Sequence, residues 1–242
     1  MNLAIDIGNS RTKLGVFQDG KLVKAEILDS SAKIQWPVLF KKYGIKNTIL
    51  STVAAQDDGL KTFLGKNSFC IVLDSRTPLP IKNLYKTPLT LGKDRIAAAA
   101  GAFALFPGEN ILVVDVGTAI TYEFINAQGE YHGGGISPGM LLRFRALNTF
   151  TTNLPLIDPE PVDYITGKST KESILSGVIN GIRMEIDGFI EAYQAQLNVA
   201  HVLLTGGDAA FFEATLKNKI FAVPNLVLIG LNKILEHNVS LR

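Results

Sequence analysis

Short apolar, β-forming runs punctuated by turn residues open the chain. Residues 2–7, 12–18 and 21–28 form three such runs, separated by Gly8 to Ser10 and by Asp19-Gly20. Runs of this length with tight breaks predict three consecutive strands, an antiparallel meander. The pattern then alternates between a helix (31–43), a strand (47–52), a helix (56–65) and a strand (69–73), the order expected of an α/β sheet. A loop containing Pro78, Pro80 and Pro88 follows, and residues 94–106 read as a buried helix. Its apolar stretch, 96–106, falls well short of the roughly 20 residues that span a bilayer. Pro107-Gly108 is the expected boundary, giving domains 1–108 and 109–242.

The second half opens as the first does. Asp6-Ile7-Gly8-Asn9-Ser10-Arg11-Thr12 aligns with Asp115-Val116-Gly117-Thr118-Ala119-Ile120-Thr121, each reading D-x-G-x-x-x-T after three apolar residues. This is an internal duplication. Strands at 120–126 and 130–135, helices at 139–148 and 168–195, a strand at 201–205 and helices at 208–216 and 226–237 complete the half. The apolar positions of the long helix (Ile174, Leu175, Val178, Ile182, Ile186, Phe189, Ile190) have helical spacing and read first as core.

Composition narrows the partners. Across 242 residues, 24 Lys plus Arg against 22 Asp plus Glu leave a net charge of +2 with no basic block, which argues against a nucleic-acid arm or a membrane-seeking surface. A small molecule is the expected partner. One cysteine, Cys70, in a run that reads as a buried strand, excludes an intrachain disulfide and fits a reducing cytoplasm. The opening MNLAIDIGNS carries an acid at position 6 and does not read as a secretory signal.

The repeated loop has phosphate chemistry. Glycine at a strand turn lets backbone N–H groups approach an anion, and neighbouring Ser, Thr or Asn add short donors. The preceding acid would repel phosphate unless a cation intervened, so it is a candidate ligand for Mg²⁺ on a nucleotide. A D-x-G segment also makes plain hairpins; two copies at equivalent places favour function. Gly133 to Gly139 reads either as a phosphate-facing turn or as a flexible one. Thr205-Gly206-Gly207-Asp208 has glycines that permit close approach of a nucleobase or sugar. Thr166-Gly167-Lys168-Ser169 is not a P-loop, since Val162 stands where its first glycine should be; there is no G-x-G-x-x-G, and His132, His201 and His237 are too scattered for zinc.

In their order and spacing, Asp6-Ile7-Gly8-Asn9-Ser10, Leu91-Gly92-Lys93-Asp94-Arg95, Asp115-Val116-Gly117-Thr118-Ala119 and Gly134-Gly135-Ile136-Ser137-Pro138-Gly139 resemble the type III pantothenate kinases over nearly the whole chain. The resemblance implies the acetate and sugar kinase, Hsp70 and actin superfamily: two duplicated ribonuclease H-like α/β domains with an ATP cleft between them. It implies transfer of phosphate from ATP to pantothenate, giving 4′-phosphopantothenate in the first step of coenzyme A synthesis. The implied cofactors are ATP with Mg²⁺ and a monovalent cation, K⁺ or NH₄⁺, and the implied assembly is a homodimer.

The same resemblance assigns roles. Asp6, Ile7, Gly8, Asn9, Ser10, Arg11, Thr12 and Lys13 match the first phosphate loop, with Asp6 near Mg²⁺; Thr118 matches an ATP contact and Asp115 the ligand of the monovalent cation. Gly92, Lys93, Asp94 and Arg95 match the substrate motif, with Asp94 as proton acceptor and Arg95 bonding to substrate, and Tyr85 and Thr170 match substrate contacts. In other branches of the superfamily the acid equivalent to Asp115 is the better-placed base. Taken without the family, Asp94 reads as a first-turn helix residue and Arg95 as a solvated charge. Two positions depart from the family pattern: Lys93 stands where alanine is usual, and Glu123 where an aspartate commonly closes the strand. The alternatives are a superfamily kinase acting on another small hydroxylated substrate, and a non-enzymatic ATP-binding regulator.

Overall fold

The expected meander is present as β1 (Asn2–Ile7), β2 (Arg11–Gln18) and β3 (Lys21–Asp29), each antiparallel to the next. Gln18 pairs with Lys21, so Asp19 and Gly20 alone make the second turn, with φ of 49° and 76°. Positive φ at both central residues is the mirror-image turn that matches the twist of a hairpin, and Asp-Gly tolerates it best. The computed structural model describes residues 1–8, 11–29, 31–52 and 58–242.

The chain continues through α1 (Trp36–Tyr43), β4 (Asn47–Thr52), α2 (Asp58–Asn67) and β5 (Phe69–Val72). β4 runs parallel to β1 and β5 parallel to β4, giving the order β3-β2-β1-β4-β5. α1 starts five residues later than its pattern suggested. Pro37 has no N–H to donate and fits only the first helical turn, so the helix begins at Trp36. The first two residues expected for α2, 56 and 57, lie outside the described residues. β5 is an edge strand with Cys70 half-buried, not the buried strand expected.

Next come β6 (Lys82–Asn83), a 3₁₀ turn (Pro88–Thr90), α3 (Lys93–Leu105), β7 (Ile111–Val116), β8 (Ala119–Ile125), β9 (Glu130–Gly133), β10 (Ile136–Pro138), α4 (Met140–Phe150) and α5 (Thr170–Leu197). β11 (His201–Thr205), α6 (Ala209–Glu213), β12 (Phe221–Ala222) and α7 (Leu226–Ser240) end the chain. β10 and β7 flank β8 antiparallel, β11 is parallel to β7 and β12 to β11. The second sheet runs β12-β11-β7-β8-β9-β6, with β10 also pairing β8, and its β8-β7-β11-β12 part repeats β2-β1-β4-β5 in both order and polarity. The two-part α/β fold is duplicated in its strand order as well as in its loop motif.

Two units divide the chain: Met1–Pro107 with Gln128–His132 and Asn225–Arg242, and Gly108–Ala127 with Gly133–Pro224. Helix α7 groups with the first unit. In that unit Leu3, Ile5, Leu14 and Leu50 bury one sheet face with Phe40, Leu60 and Leu64 of α1 and α2. The opposite face carries Ala4 and Gly15, cross-strand partners small enough to admit α7; a Cβ on Gly15 would lie 3.3 Å from Leu228 Cβ. α3 then packs against α7 through facing glycines. A Cβ on Gly101 would lie 2.7 Å from the Leu226 carbonyl oxygen, and one on Gly230 would collide with the Ala97 carbonyl. The buried Ala97 to Ala100 run exists for this close crossing. In the second unit, Leu112, Val114 and Val116 of β7 bury against Ile182, Ile186 and Ile190 of α5, as the spacing predicted; Phe189 remains 37% exposed.

Gly230→Ala should therefore destabilise the protein by about 1–3 kcal/mol or more, because backbone must move to admit the methyl. Gly65→Ala, on α2 with nothing within 4 Å, should instead stabilise by about 0.5–1 kcal/mol. Urea unfolding of both variants checks the contrast.

Candidate functional site

The first unit gathers one group of sequence-predicted residues at the carboxyl ends of β1 and β4. Asp6 and Ile7 end β1, opposite Lys13 and Thr12 of β2 and beside Ser51 and Thr52 of β4. Gly8 N–H donates to the Arg11 carbonyl at 3.0 Å, closing the turn. Thr12 is buried, Lys13 half-buried and Arg11 exposed; Asn9 and Ser10 lie outside the described residues. Ser51 Oγ donates to Asp6 Oδ1 at 2.9 Å. Burial pushes the Asp6 carboxyl above its ordinary range; the Ser51 bond and Lys13 act against this, and the charge of Asp94 adds to it.

Asp94 therefore lies close enough for Asp6 to feel its charge. It sits exposed in the first turn of α3, where Oδ1 accepts the Arg95 N–H at 2.9 Å. Gly92 precedes it as the helix cap, and a Cβ there would lie 2.6 Å from Asp94 Oδ1. Lys93 Nζ donates to the Thr52 carbonyl at 2.9 Å, tying this turn to the end of β4. Arg95 is not the solvated charge that composition alone suggested. It is buried, with its guanidinium 5.5 Å from the Tyr85 ring centroid, and Tyr85 in turn lies 6.2 Å from the Tyr131 ring. Six expected residues, Asp6, Tyr85, Gly92, Lys93, Asp94 and Arg95, thus belong to one unit.

The second unit holds the other loop. Asp115 is the last residue but one of β7, and Gly117 N–H donates to the Ala119 carbonyl at 3.1 Å, the counterpart of the Gly8 turn. The two turns differ by one residue. Asp115 pairs with Thr121 across the hairpin, whereas Asp6 pairs with Lys13, so Thr12 and Thr121 are not structural equivalents. The acid and the glycine are the true repeat. Thr118 is exposed, and its carbonyl accepts the Gly139 N–H at 3.0 Å.

Both later glycine motifs are explained by this loop. A Cβ on Gly139 would lie 2.5 Å from the Thr118 carbonyl oxygen, one on Gly134 would collide with the Tyr122 carbonyl, and one on Gly206 would lie 2.5 Å from Asp115 Oδ1. Gly206 also has φ of 103°. Close approach is real at these glycines, but it is the protein's own backbone that approaches. Glu123, one of the two departures, is fully buried on β8.

Thr170 begins α5. It is exposed on an open, mainly apolar cavity of about 1360 Å³ between α4 and α5, lined by Leu142, Leu147, Phe150, Leu154 and Ile174 among others. The α5 end is capped reciprocally: Ser169 Oγ accepts Glu172 N–H, and Glu172 Oε2 accepts Lys168 N–H.

Over residues 2–192 the chain matches the family model described as type III pantothenate kinase. The chain belongs to the type III pantothenate kinase family. It is 47% identical to the type III pantothenate kinase of Cytophaga hutchinsonii over 99% of this chain and 100% of that one. Among solved structures it resembles a Campylobacter jejuni protein assigned provisionally as a Baf family transcriptional activator (TM-score 0.61, 24% identity, 98% and 99% covered). It also resembles a ROK family glucokinase from Streptomyces griseus (TM-score 0.53, 9% identity, 98% and 99% covered). These likenesses show the sugar-kinase and actin type of fold.

Among the described residues, no three His, Cys, Asp or Glu side chains gather into a metal cage. Mg²⁺ on a nucleotide needs none, since one or two carboxylates suffice when phosphates and water fill the other positions. Asp6, at an open strand end and raised in pKa by burial, fits that demand. The Asp115 carboxylate lies against Gly206.

One cluster escaped sequence reasoning. Glu185 on α5 accepts from Tyr122 OH at 3.0 Å, Ser137 Oγ at 2.5 Å and Arg143 Nη2 at 2.6 Å. Its signal was present: residue 185 falls on the apolar stripe, three after Ile182 and four before Phe189, where a carboxylate needs partners. Burial raises the Glu185 pKa, but the bonds from Ser137 and Arg143 outweigh it and hold the carboxyl below its ordinary range. A carboxyl depressed in the folded state adds stability above its unfolded pKa and loses it as pH falls through the folded one. The stability advantage of the wild type over Glu185→Gln should accordingly be largest at neutral pH and shrink below about pH 4.5, near the ordinary glutamate pKa. Thermal melts of both proteins from pH 7 to pH 3 measure it.

No helix among the described residues is long and apolar enough to cross a membrane.

Proposed function

We propose that the chain transfers the γ-phosphoryl group of ATP to the 4′-hydroxyl of pantothenate, the opening step of coenzyme A synthesis, with Asp94 as the proton acceptor. The supporting observation is the bond from Lys93 to the Thr52 carbonyl, which ties the Asp94 turn to the end of β4, the strand paired with the Asp6 end of β1. Asp94 keeps its carboxylate exposed at the start of α3, free to orient a substrate hydroxyl and take its proton late in a loose transition state. Arg95, buried over Tyr85, is a rigid donor for substrate oxygens. Thr170 supplies a further substrate contact.

Gly8 and Lys13, with Ile7, Asn9, Ser10, Arg11 and Thr12 of the same loop, receive the phosphates. Thr118 contacts ATP from the second loop. Asp6 holds Mg²⁺, directly or through water, and Asp115 holds K⁺ or NH₄⁺; these cations neutralise charge building on the phosphoryl oxygens. Lys93, bonded to the Thr52 carbonyl, supports the turn. Each half keeps the role that its own acid-glycine turn suggested.

The assembly in this reading is a homodimer in the cytoplasm. Leu141, Leu142 and Phe150 of α4 and Met184 of α5 are 46–84% exposed, and the apolar cavity at Thr170 opens beside α4. Exposed apolar area of this kind suits a second copy of the chain.

ADP release from ATP, Mg²⁺ and pantothenate, with K⁺ or NH₄⁺ present or replaced by Na⁺, tests the proposal. The wild type should turn over only with pantothenate and should need the cation. Asp94→Asn should lower kcat by about 10²–10⁴-fold, the range for loss of a general base. Full activity in Asp94→Asn would remove Asp94 as the base and move attention to Asp115.

A further inference from the structure

The segment from Gly134 to Gly139 is a rigid seat for the second loop, and one side chain holds the seat in place. β10 lies antiparallel to β8, Ser137 opposite Ile120 and Pro138 opposite Ala119. Gly135 and Tyr122 exchange backbone bonds at 3.0 and 3.1 Å, and Gly139 N–H reaches the Thr118 carbonyl. No side chain fits between the segment and the loop, so its position is passed directly to the main chain of Thr118.

Every element of this seat is fastened to α5 at Glu185. The carboxylate takes Tyr122 OH from β8, Ser137 Oγ from β10 and the Arg143 guanidinium from α4. Arg143 completes the ring by donating from Nε to the Pro138 carbonyl at 2.8 Å. Tyr122 is further fixed by stacking on Phe189, one turn along α5, with ring centroids 4.0 Å apart. The Arg143 and Glu185 side chains are only 20% and 23% exposed, so the pair is shielded more than a surface ion pair would be.

We infer that Glu185 is a positioning residue for nucleotide binding: through Ser137, Tyr122 and Arg143 it fixes where the Thr118 loop presents itself to ATP. The inference rests on the reading of Thr118 as an ATP contact. It gives a function to the Gly134 to Gly139 motif, whose glycines seat backbone on backbone, and to a carboxylate that takes no part in proton transfer. Small shifts matter here because an error of about 1 Å in a positioned contact costs catalysis heavily.

The test is steady-state kinetics with ATP varied at saturating pantothenate, on wild type, Thr118→Ala, Ser137→Ala, Glu185→Gln and Glu185→Ala, with a thermal melt of each. Glu185→Ala should raise KM for ATP at least tenfold while KM for pantothenate, measured at saturating ATP, moves less than twofold. Glu185→Gln, which keeps the shape and an acceptor oxygen, should recover part of the loss, and Ser137→Ala should give an intermediate rise of about threefold. If Glu185→Ala fails to fold, Ser137→Ala and Glu185→Gln decide the matter. A lowered melting temperature with unchanged KM for ATP in these two would reduce Glu185 to a purely structural role and overturn the inference. An unchanged KM for ATP in Thr118→Ala would instead overturn the reading of Thr118 on which it rests.

Discussion

At the turn after β7, main chain packs on main chain with no room for a side chain. Gly139 and Gly206 press on the carbonyls and carboxylate of residues 115–118, where a single added carbon would collide. Gly206 reaches this position with φ of 103°, a conformation that costs other residues dearly. Backbone from Gly139 and Gly206 is therefore packed directly against Asp115 and Thr118. The same logic governs α3, whose place against α7 depends on Gly101 and Gly230. Helix α3 carries Asp94 and Arg95, so glycine contacts set the framework of both candidate loops.

On that framework the charged groups behave differently from exposed ones. Asp6 is kept basic by burial, against the pull of Ser51 and Lys13. A carboxylate that is costly to ionise alone gains most from a cation, which suits the Mg²⁺ role proposed for Asp6. Glu185 has the reverse environment, with hydrogen-bond donors that stabilise its ionised form. The two acids thus sit in opposite environments, in line with the binding role proposed for one and the positioning role inferred for the other.

Much of the fold was legible because its signals are local. The meander, the α/β alternation and the long apolar helix follow from periodicity and turn residues, and the Asp19-Gly20 turn has the backbone that its sequence requires. The misses have physical causes. α1 was begun too early because Pro37 was not weighed as a helix start, and β6 and β12 have only two residues each, too few for any pattern. α7 joins the first unit because of Gly15 and Gly230, contacts remote in sequence. The motifs singled out Asp6, Asp94, Arg95 and Asp115, but not the one-residue difference between the two turns. That difference appears only in the register, where Asp6 faces Lys13 and Asp115 faces Thr121. Ser51, Glu185 and Arg143 were missed because their partners lie on other elements.

Each of the two acid-glycine turns is proposed to serve phosphoryl transfer to pantothenate. Incubating the protein with ATP labelled at the γ-phosphate, Mg²⁺, K⁺ and pantothenate, and separating the products, tests it most directly. The account predicts label in 4′-phosphopantothenate, equal in amount to the ADP formed. Label confined to ATP, or appearing only as inorganic phosphate whether or not pantothenate is present, would contradict it.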